Sequence, residues 1–170
     1  MLFRSREAAS EGLRAAIQRS AELAKSGLAD ARHAVGALRG ERLPTVDRLA
    51  SLVDDFRRDT GADATLRVDG ESRPLPAEAS LALFRGAQEA LTNIARYAPG
   101  AVTAVTVTYQ ADRTVVTIED HISGPQTTTL AGAGGGHGLT AMRERAARAG
   151  GAARAGPTAD GWLVELEVPT

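Results

Sequence analysis

The sequence predicts an α+β fold, a two-layer α/β sandwich in which a mixed, mostly antiparallel sheet packs helices on one face and a long helix precedes it. Two observations lead to this prediction. Alternating apolar and polar residues predict strands at 64–68, 105–109, 116–118 and 162–168. Apolar residues three and four apart predict helices between these strands. A sheet of this kind leaves the face without helices partly wet.

Residues 10–39 predict the long helix, because the segment lacks proline and is rich in Ala, Leu, Glu and Arg. Its apolar residues alternate four and three apart, which is the spacing of a heptad seam. Such a helix is about 45 Å long, and a seam on a protruding helix needs a partner. The alternative is a helix that lies on its own domain. We predict self-association through seam residues that all lie on one stripe: Ile17, Ala24, Leu28, Val35 and Leu38.

Three shorter helices are predicted at 44–60, 76–98 and 139–149. Proline opens the first two of these helices, and glycine follows all three, as is typical of helix starts and stops. Gly40 is a plausible end of the long helix. We therefore expect two parts, a helical segment at 1–40 and the sandwich at 41–170.

Composition excludes several classes of function. The net charge is −1, so nothing indicates attraction to nucleic acid or to a membrane surface. The absence of cysteine excludes disulfides and Cys-type zinc sites. No apolar run approaches the roughly 20 residues of a membrane span, and the initial MLFRSRE is too short and charged for a signal peptide. We expect a cytoplasmic protein.

The helix 84–98, with the sequence FRGAQEALTNIARYA, carries four polar residues spaced four apart. Arg85, Glu89, Asn93 and Tyr97 therefore lie on one stripe beside the apolar face. The carboxylate and carboxamide oxygens of this stripe suit Mg²⁺, which prefers hard ligands. The structural alternative is a solvated polar flank.

Two further features are candidate ligand contacts. Asp120 directly follows a predicted strand in TVVTIEDHISG, where its carboxylate can accept a hydrogen bond from an exocyclic amine; turn chemistry is the alternative. The glycine-rich loop 123–138 runs into the helix that starts near Leu139. Glycines let backbone amides approach phosphates, and the helix start adds a positive dipole end. No Lys-Ser/Thr follows, so this is not a Walker loop, and a flexible linker is the alternative.

The histidines do not indicate a phospho-acceptor or a metal site. His33 lies inside the predicted long helix as ARHAV, and an acceptor is expected to have an acidic neighbour that assists proton removal, whereas Ala34 follows here. His121 and His137 are isolated loop residues without a metal-ligand partner at useful spacing.

Taken in order, these segments closely resemble the histidine kinase subfamily that pairs with helix-turn-helix response regulators. Its ATPase domain belongs to the group shared with gyrase, Hsp90 and MutL. QEALTNIARYA at 88–98 resembles the N box, and EDHISG at 119–124 resembles the first glycine box. GGGHGLTAMRERAARAGG at 134–151 resembles the second glycine box, and GLADARHAVGALRG at 27–40 the end of the second dimerisation helix. The resemblance covers nearly the whole chain.

The resemblance implies a role for each matching residue. Glu89 would be the catalytic residue that polarises or deprotonates at the γ-phosphate. Asn93 would coordinate Mg²⁺, and Asp120 would receive the adenine amino group. The remaining nucleotide contacts would come from the glycine boxes, where backbone amides touch the phosphates: Gly124, Gly134, Gly136, His137, Gly138 and Leu139.

Three departures from the family pattern bear on these roles. Ile122 replaces the first glycine of the first glycine box, where a branched side chain crowds the adenine or restricts the turn. Tyr97 takes the place of the histidine that usually ends the N box. The first dimerisation helix, which carries the acceptor histidine, has no counterpart in the sequence.

The resemblance therefore implies the catalytic fragment of a two-component protein-histidine kinase. It would bind ATP and Mg²⁺, work with a response regulator and not phosphorylate itself. Two other functions are compatible with the residues. A degenerate site would leave a non-catalytic module for dimerisation or response-regulator docking. A serine kinase of the anti-sigma-factor type shares the ATPase fold, but the heptad helix speaks against it.

Overall fold

The computed structural model describes residues 46–121 and 137–170. These residues belong to one compact unit, Pro44–Thr170. Several predicted features lie outside the described residues and stay predictions. They are the helix 10–39 with its seam residues Ile17, Ala24, Leu28, Val35 and Leu38, the boundary at residue 40, Ile122, and the loop glycines Gly124, Gly134 and Gly136.

The described ranges contain three α-helices and five strands. A 3₁₀ turn at Val46–Arg48 leads into the first helix. The elements in chain order are α1 (Leu49–Thr60), β1 (Ala64–Asp69), α2 (Ala77–Tyr97), β2 (Val102–Tyr109), β3 (Arg113–His121), α3 (His137–Arg148), β4 (Ala152–Pro157) and β5 (Gly161–Pro169). Among these elements, no helix has the length and apolar content that crossing a membrane requires.

The five strands form one sheet in the order β1-β2-β3-β5-β4. β1 pairs with β2 in parallel, and the other three pairs are antiparallel. Residues that are paired across neighbouring strands point to the same face. Val105, Ile118 and Val164 form one such row, and all three are buried. The predicted mixed, mostly antiparallel sheet is confirmed.

The core lies between this sheet and the helices. The predicted apolar face of α2 is buried throughout, from Phe84 through Ala87, Leu91 and Ile94 to Ala98 at its end. The helix belongs to this layer because its apolar residues follow the 3.6-residue period, so one stripe meets the sheet. Helices α1 and α3 contribute further buried residues: Leu49, Val53, Phe56, Met142 and Ala146.

The opposite face of the sheet is only partly buried within the described residues. The row Thr106, Thr117 and Glu165 runs across three strands on this face, and each of these side chains is half-buried. Short polar side chains suit a pleated surface that water reaches. The sequence predicted that helices cover one face of the sheet and that water partly reaches the other, and this prediction is confirmed.

Strand β4 was not predicted. Its sequence, AARAGP, consists of residue types that are poor strand formers, so no alternating pattern identifies it. The strand exists because β5 offers it a pairing edge and because Ala153 and Ala155 pack against the core. Tertiary pairing therefore overrides the local propensity of this segment.

The start of α3 differs from its prediction by two residues. The loop was predicted to reach Gly138, with the helix beginning near Leu139, but the helix begins at His137. Gly138 and Leu139 both lie in its first turn. Leu139 is partly buried and packs against the core, which holds this turn in helical conformation despite the glycine.

A substitution at Gly161 tests how closely β3 and β5 approach. A Cβ at Gly161 would overlap the backbone carbonyl of Asp120, and its distance to the Asp120 carbonyl carbon would be 2.7 Å. We expect Gly161→Ala to lower the free energy of unfolding by about 1–3 kcal/mol, because backbone atoms must move apart. Urea unfolding monitored by circular dichroism measures the change.

Gly156→Ala is the matched control, because Gly156 lies on the neighbouring strand β4 and a Cβ there meets no atom within 4 Å. We expect this variant to unfold at the wild-type urea concentration. Equal stability of both variants would contradict the close approach of the two strands.

Candidate functional site

Asp120 is the buried polar residue at the end of β3. Its side chain shares a face with Ile118 and Val116, so it points toward the helix layer. The residue is 3% exposed, and within the described residues its Oδ1 has no hydrogen-bond partner. Buried polar atoms in proteins are nearly always hydrogen-bonded, so this oxygen is a marked exception. A carboxylate oxygen of this kind is free to accept a hydrogen bond from a ligand.

Burial also sets the protonation behaviour of this carboxyl group. Desolvation raises the pKa of Asp120, because the ionised form loses contact with water. A hydrogen bond from the Trp162 backbone amide and the neighbouring His121 both act in the opposite direction, while Glu119 adds to the rise. The carboxyl group is thus buried while its Oδ1 has no partner among the described residues.

Thr103 and Trp162 are the cross-strand neighbours of Asp120 on the same face of the sheet. Thr103 is fully buried and its hydroxyl donates to the Ala101 carbonyl at 3.3 Å. Trp162 is half-buried and packs at the margin of the core. Neither residue was identified from sequence, because only the strand register brings them beside Asp120. The sequence did predict that Trp162 lies on the same face of its strand as the core residues, and this was the one signal that could have pointed to it.

The polar stripe of α2 lies where the sequence predicted it. Arg85, Glu89, Asn93 and Tyr97 are all half-buried, beside the buried apolar face of the helix. Arg85 Nη1 donates to Gln88 Oε1 at 2.6 Å. The stripe is therefore neither core nor fully solvated, as expected for residues that line the margin of a ligand site.

Tyr97 stands at the end of this stripe, where the resemblance leads one to expect histidine. The guanidinium carbon of Arg96 lies 5.3 Å from the centre of the Tyr97 ring. This distance is within the range of a cation–π contact. The ring is thus held by its neighbour on the helix.

Glu89 lies directly against the first turn of α3. A Cβ at Gly138 would collide with the carboxylate of Glu89 and lie 3.1 Å from its Cδ. The first amides of a helix have no partner within the helix and carry partial positive charge, so a carboxylate is favoured there. The glutamate of the predicted N box and Gly138 of the predicted second glycine box are therefore in contact.

Helix α2 connects the parts of the site. It packs on β3, which carries Asp120 next to its last residue, on β5, and on α3, which has Gly138 in its first turn. Asn93 follows Glu89 by one helical turn and is also half-buried. Of the other predicted site residues, Gly138 and Leu139 lie at the start of α3, whereas Gly124, Gly134 and Gly136 and the side chain of His137 lie outside the described residues.

No group of three or more His, Cys, Asp or Glu side chains that could hold a metal occurs in 46–121 and 137–170. A magnesium ion near Asn93 would therefore need oxygen ligands from a bound phosphate and from water. This coordination is the usual one for Mg²⁺, which keeps several waters and is rarely held by a cage of side chains alone.

The fold is that of the histidine kinase catalytic domain. The chain superimposes on the blue-light activated histidine kinase of Erythrobacter litoralis EL346 with a TM-score of 0.56 and 19% identity, covering 74% of this chain and 45% of that one. The histidine kinase AdeS of Acinetobacter baumannii gives a TM-score of 0.56 at 13% identity. The match covers 87% of this chain and 79% of AdeS. Histidine kinase ThkA, in a complex with response regulator protein TrrA, superimposes with a TM-score of 0.56 at 15% identity. The match covers 73% of this chain and 39% of ThkA.

Two sequence relatives are sensor histidine kinases of Bacillus subtilis strain 168. LnrJ is 32% identical over 133 residues, which are 78% of this chain and 32% of the relative. YxjM is 31% identical over 156 residues, which are 90% of this chain and 37% of the relative. The chain thus spans about a third of the length of these relatives. No family model matches it.

The predicted resemblance to histidine kinases is confirmed by these sequence relatives and by the fold. The helix-turn-helix subfamily stays a prediction, and so do the individual roles of the site residues.

Replacing Asp120 by asparagine tests the burial of its carboxylate. Since the folded pKa is raised, the penalty for ionisation is full above that pKa and disappears as pH falls to the ordinary value of about 3.9. We expect Asp120→Asn to raise the free energy of unfolding at neutral pH and to lose this advantage in acid. Urea unfolding across this pH range measures the difference.

Asp112→Asn is the control with the opposite sign. A hydrogen bond from Arg113 lowers the pKa of the exposed Asp112, so the ionised form is favoured in the folded state. We expect its substitution to reduce stability at neutral pH. If Asp120→Asn lowered stability at neutral pH, as is expected of Asp112→Asn, the account of Asp120 would be wrong.

A double-mutant cycle tests the contact between Glu89 and Gly138. We expect Gly138→Ala and Glu89→Ala to be coupled by about 0.5–3 kcal/mol, because removing the carboxylate makes room for the added methyl group. Gly156→Ala combined with Glu89→Ala serves as the uncoupled control. Additive effects in the first pair would contradict the contact. The free energies come from urea unfolding of the wild type, the three single variants and the two double variants.

Proposed function

We propose that this chain is the ATP-binding catalytic part of a sensor histidine kinase, which transfers the γ-phosphoryl group to a histidine outside its own described domain. The observation that carries the proposal is the buried, unpartnered Oδ1 of Asp120 in a fold of the histidine kinase catalytic type. An acceptor of this kind is costly to bury unless a ligand donates to it.

Asp120 is the residue that selects the base. Its Oδ1, which has no partner among the described residues, accepts a hydrogen bond from the exocyclic amine of adenine. A hydrogen bond to an ionised, buried acceptor is stronger than one between neutral groups, which favours adenine over bases without an amine at this place.

Glu89 and Asn93 act at the phosphate end. Asn93 provides a carboxamide oxygen to Mg²⁺, and Glu89 polarises or deprotonates the attacking group at the γ-phosphate. An Mg²⁺ held there would supply charge neutralisation at the phosphates. The first amides of α3, with Gly138 among them, would offer donors to the phosphates beside the Glu89 carboxylate. Gly124, Gly134, Gly136, His137 and Leu139 complete this set of proposed contacts.

The partner proposed for this chain is a response regulator. The structural neighbour ThkA is known in complex with the response regulator protein TrrA, and this complex supports the proposal. A second copy of the chain is proposed as the dimer partner, through the seam residues Ile17, Ala24, Leu28, Val35 and Leu38. We propose a cytoplasmic location, because ATP, the phosphoryl donor of the proposed reaction, is found there.

Calorimetry and a transfer assay test the function together. We expect the full chain to bind ATP with Mg²⁺, and Asp120→Asn to weaken binding by about 1.5–3 kcal/mol through loss of a charged hydrogen bond. Glu89→Gln is expected to keep nucleotide binding but to lose phosphoryl transfer to an added histidine-bearing dimerisation domain. The control is Glu78→Gln, an exposed glutamate in the first turn of the same helix, which should behave as wild type.

Two results would count against the proposal. A folded chain that gives no binding heat at millimolar nucleotide would favour the non-catalytic docking module. A folded chain that binds nucleotide but transfers no label from γ-labelled ATP to an added histidine-bearing dimerisation domain would also favour that module.

A further inference from the structure

Trp162 is one of the two residues paired with Asp120 across the sheet, and Thr103 is the other. Trp162 and Asp120 are directly paired in the antiparallel register of β3 and β5, and both point to the helix layer. Directly opposed residues on one face have Cβ atoms about 4.5–5.5 Å apart. The indole ring therefore lies beside the carboxylate whose Oδ1 has no partner among the described residues.

Burial distinguishes Trp162 from the other residues on its face of β5. Val164, Leu166 and Val168 are each no more than 5% exposed, whereas Trp162 is only half-buried. Its neighbour on the other side, Pro157, is exposed at the edge strand. Part of the indole surface thus stays uncovered at the end of the sheet where Asp120 lies. A residue that served only the core would be covered like the three that follow it.

From this position we propose that Trp162 contacts the purine ring whose amine Asp120 accepts, and that this contact helps to set nucleotide affinity. The inference rests on the proposed ATP site and names a residue that determines how the base is bound. A base held by its exocyclic amine at Asp120 has its ring within reach of the opposed side chain. An indole offers a large flat surface for this ring. Stacking between a base and an aromatic side chain is strong and is possible for every type of base.

Trp162 would act on the base through its side chain, which covers part of the ring. Its backbone amide pairs with the strand that carries Asp120 and opposes the rise in the pKa of that carboxyl group. The apolar contact area comes from the ring, so an aromatic ring at this position should matter more than bulk alone.

The chain contains one tryptophan, so its fluorescence reports on Trp162 without any variant. We expect ADP with Mg²⁺ to change the intensity or wavelength of this fluorescence, excited at the red edge where adenine does not absorb. The change should saturate at the dissociation constant found by calorimetry. In Asp120→Asn the midpoint should move to higher ADP concentration by the same factor in both measurements.

Moving the reporter provides the matched control. Leu163 is the next residue of β5, points to the opposite face and pairs with Glu119. The double variant Trp162→Phe with Leu163→Trp places the single tryptophan there. We expect it to bind ADP while its fluorescence remains unchanged.

Affinity variants separate a base contact from core packing. We expect Trp162→Phe to bind ADP within about threefold of wild type, and Trp162→Leu to bind about tenfold more weakly, because leucine keeps bulk but removes the aromatic face. Both variants replace a half-buried residue at the margin of the core, so thermal unfolding is measured to confirm that they are folded.

The failures of the two proposals are distinguishable. If calorimetry detects ADP binding while the wild-type fluorescence stays constant and Trp162→Leu binds as tightly as Trp162→Phe, then Trp162 is a packing residue and only this inference falls. If the folded wild-type chain binds no ADP, both the proposed function and this inference are wrong. The fluorescence measurement needs no variant, so a Leu variant that fails to fold does not remove the test.

Discussion

The pairing of β3 with β5 is the constraint on which the rest of the site depends. It runs over nine residue pairs, from Arg113 with Pro169 to His121 with Gly161. The absence of a side chain at Gly161 allows the two backbones to meet beside Asp120. This pairing puts a carboxylate and an indole on the same face. It also supplies the strand surface on which α2 packs, so the core and the proposed base contact share one origin.

Burial of Asp120 lowers the stability of the folded domain, but it leaves a carboxylate oxygen that a ligand can contact. The ionised carboxylate is disfavoured in the folded chain, and its Oδ1 gains no partner from the described residues. A fold selected for stability alone would place an apolar or neutral side chain here. A donor from a ligand offsets the desolvation, so the nucleotide is proposed to stabilise the domain that binds it. The same conflict explains why one residue is both a weak point of the fold and the proposed determinant of the base.

Helix α2 links the two ends of the proposed nucleotide. Its apolar stripe is packed against the sheet, which fixes the rotation of the helix about its axis. That rotation places Glu89 and Asn93 along the margin of the core and brings the Glu89 carboxylate against the first turn of α3. Packing of apolar residues such as Leu91 and Ile94 thus positions polar groups that make no contribution to the core. The arrangement needs no flexible element in the described part of the chain.

The sequence by itself determined every element whose pattern is local. The three-to-four spacing specified α2 and the stripe from Arg85 to Tyr97, and alternation specified the β2–β3 hairpin and β5. The same local spacing put Glu89 and Asn93 on one side of a helix. Asp120 was predicted to follow a strand, whereas it lies within β3, because both neighbouring strands pair with it. Only the tertiary structure decided that AARAGP forms an edge strand, that α3 begins at His137, that Asp120 is buried and that Trp162 lies opposite it. These features depend on which strand or helix lies alongside, and the pairing partner is distant in sequence, so no local periodicity contains that information.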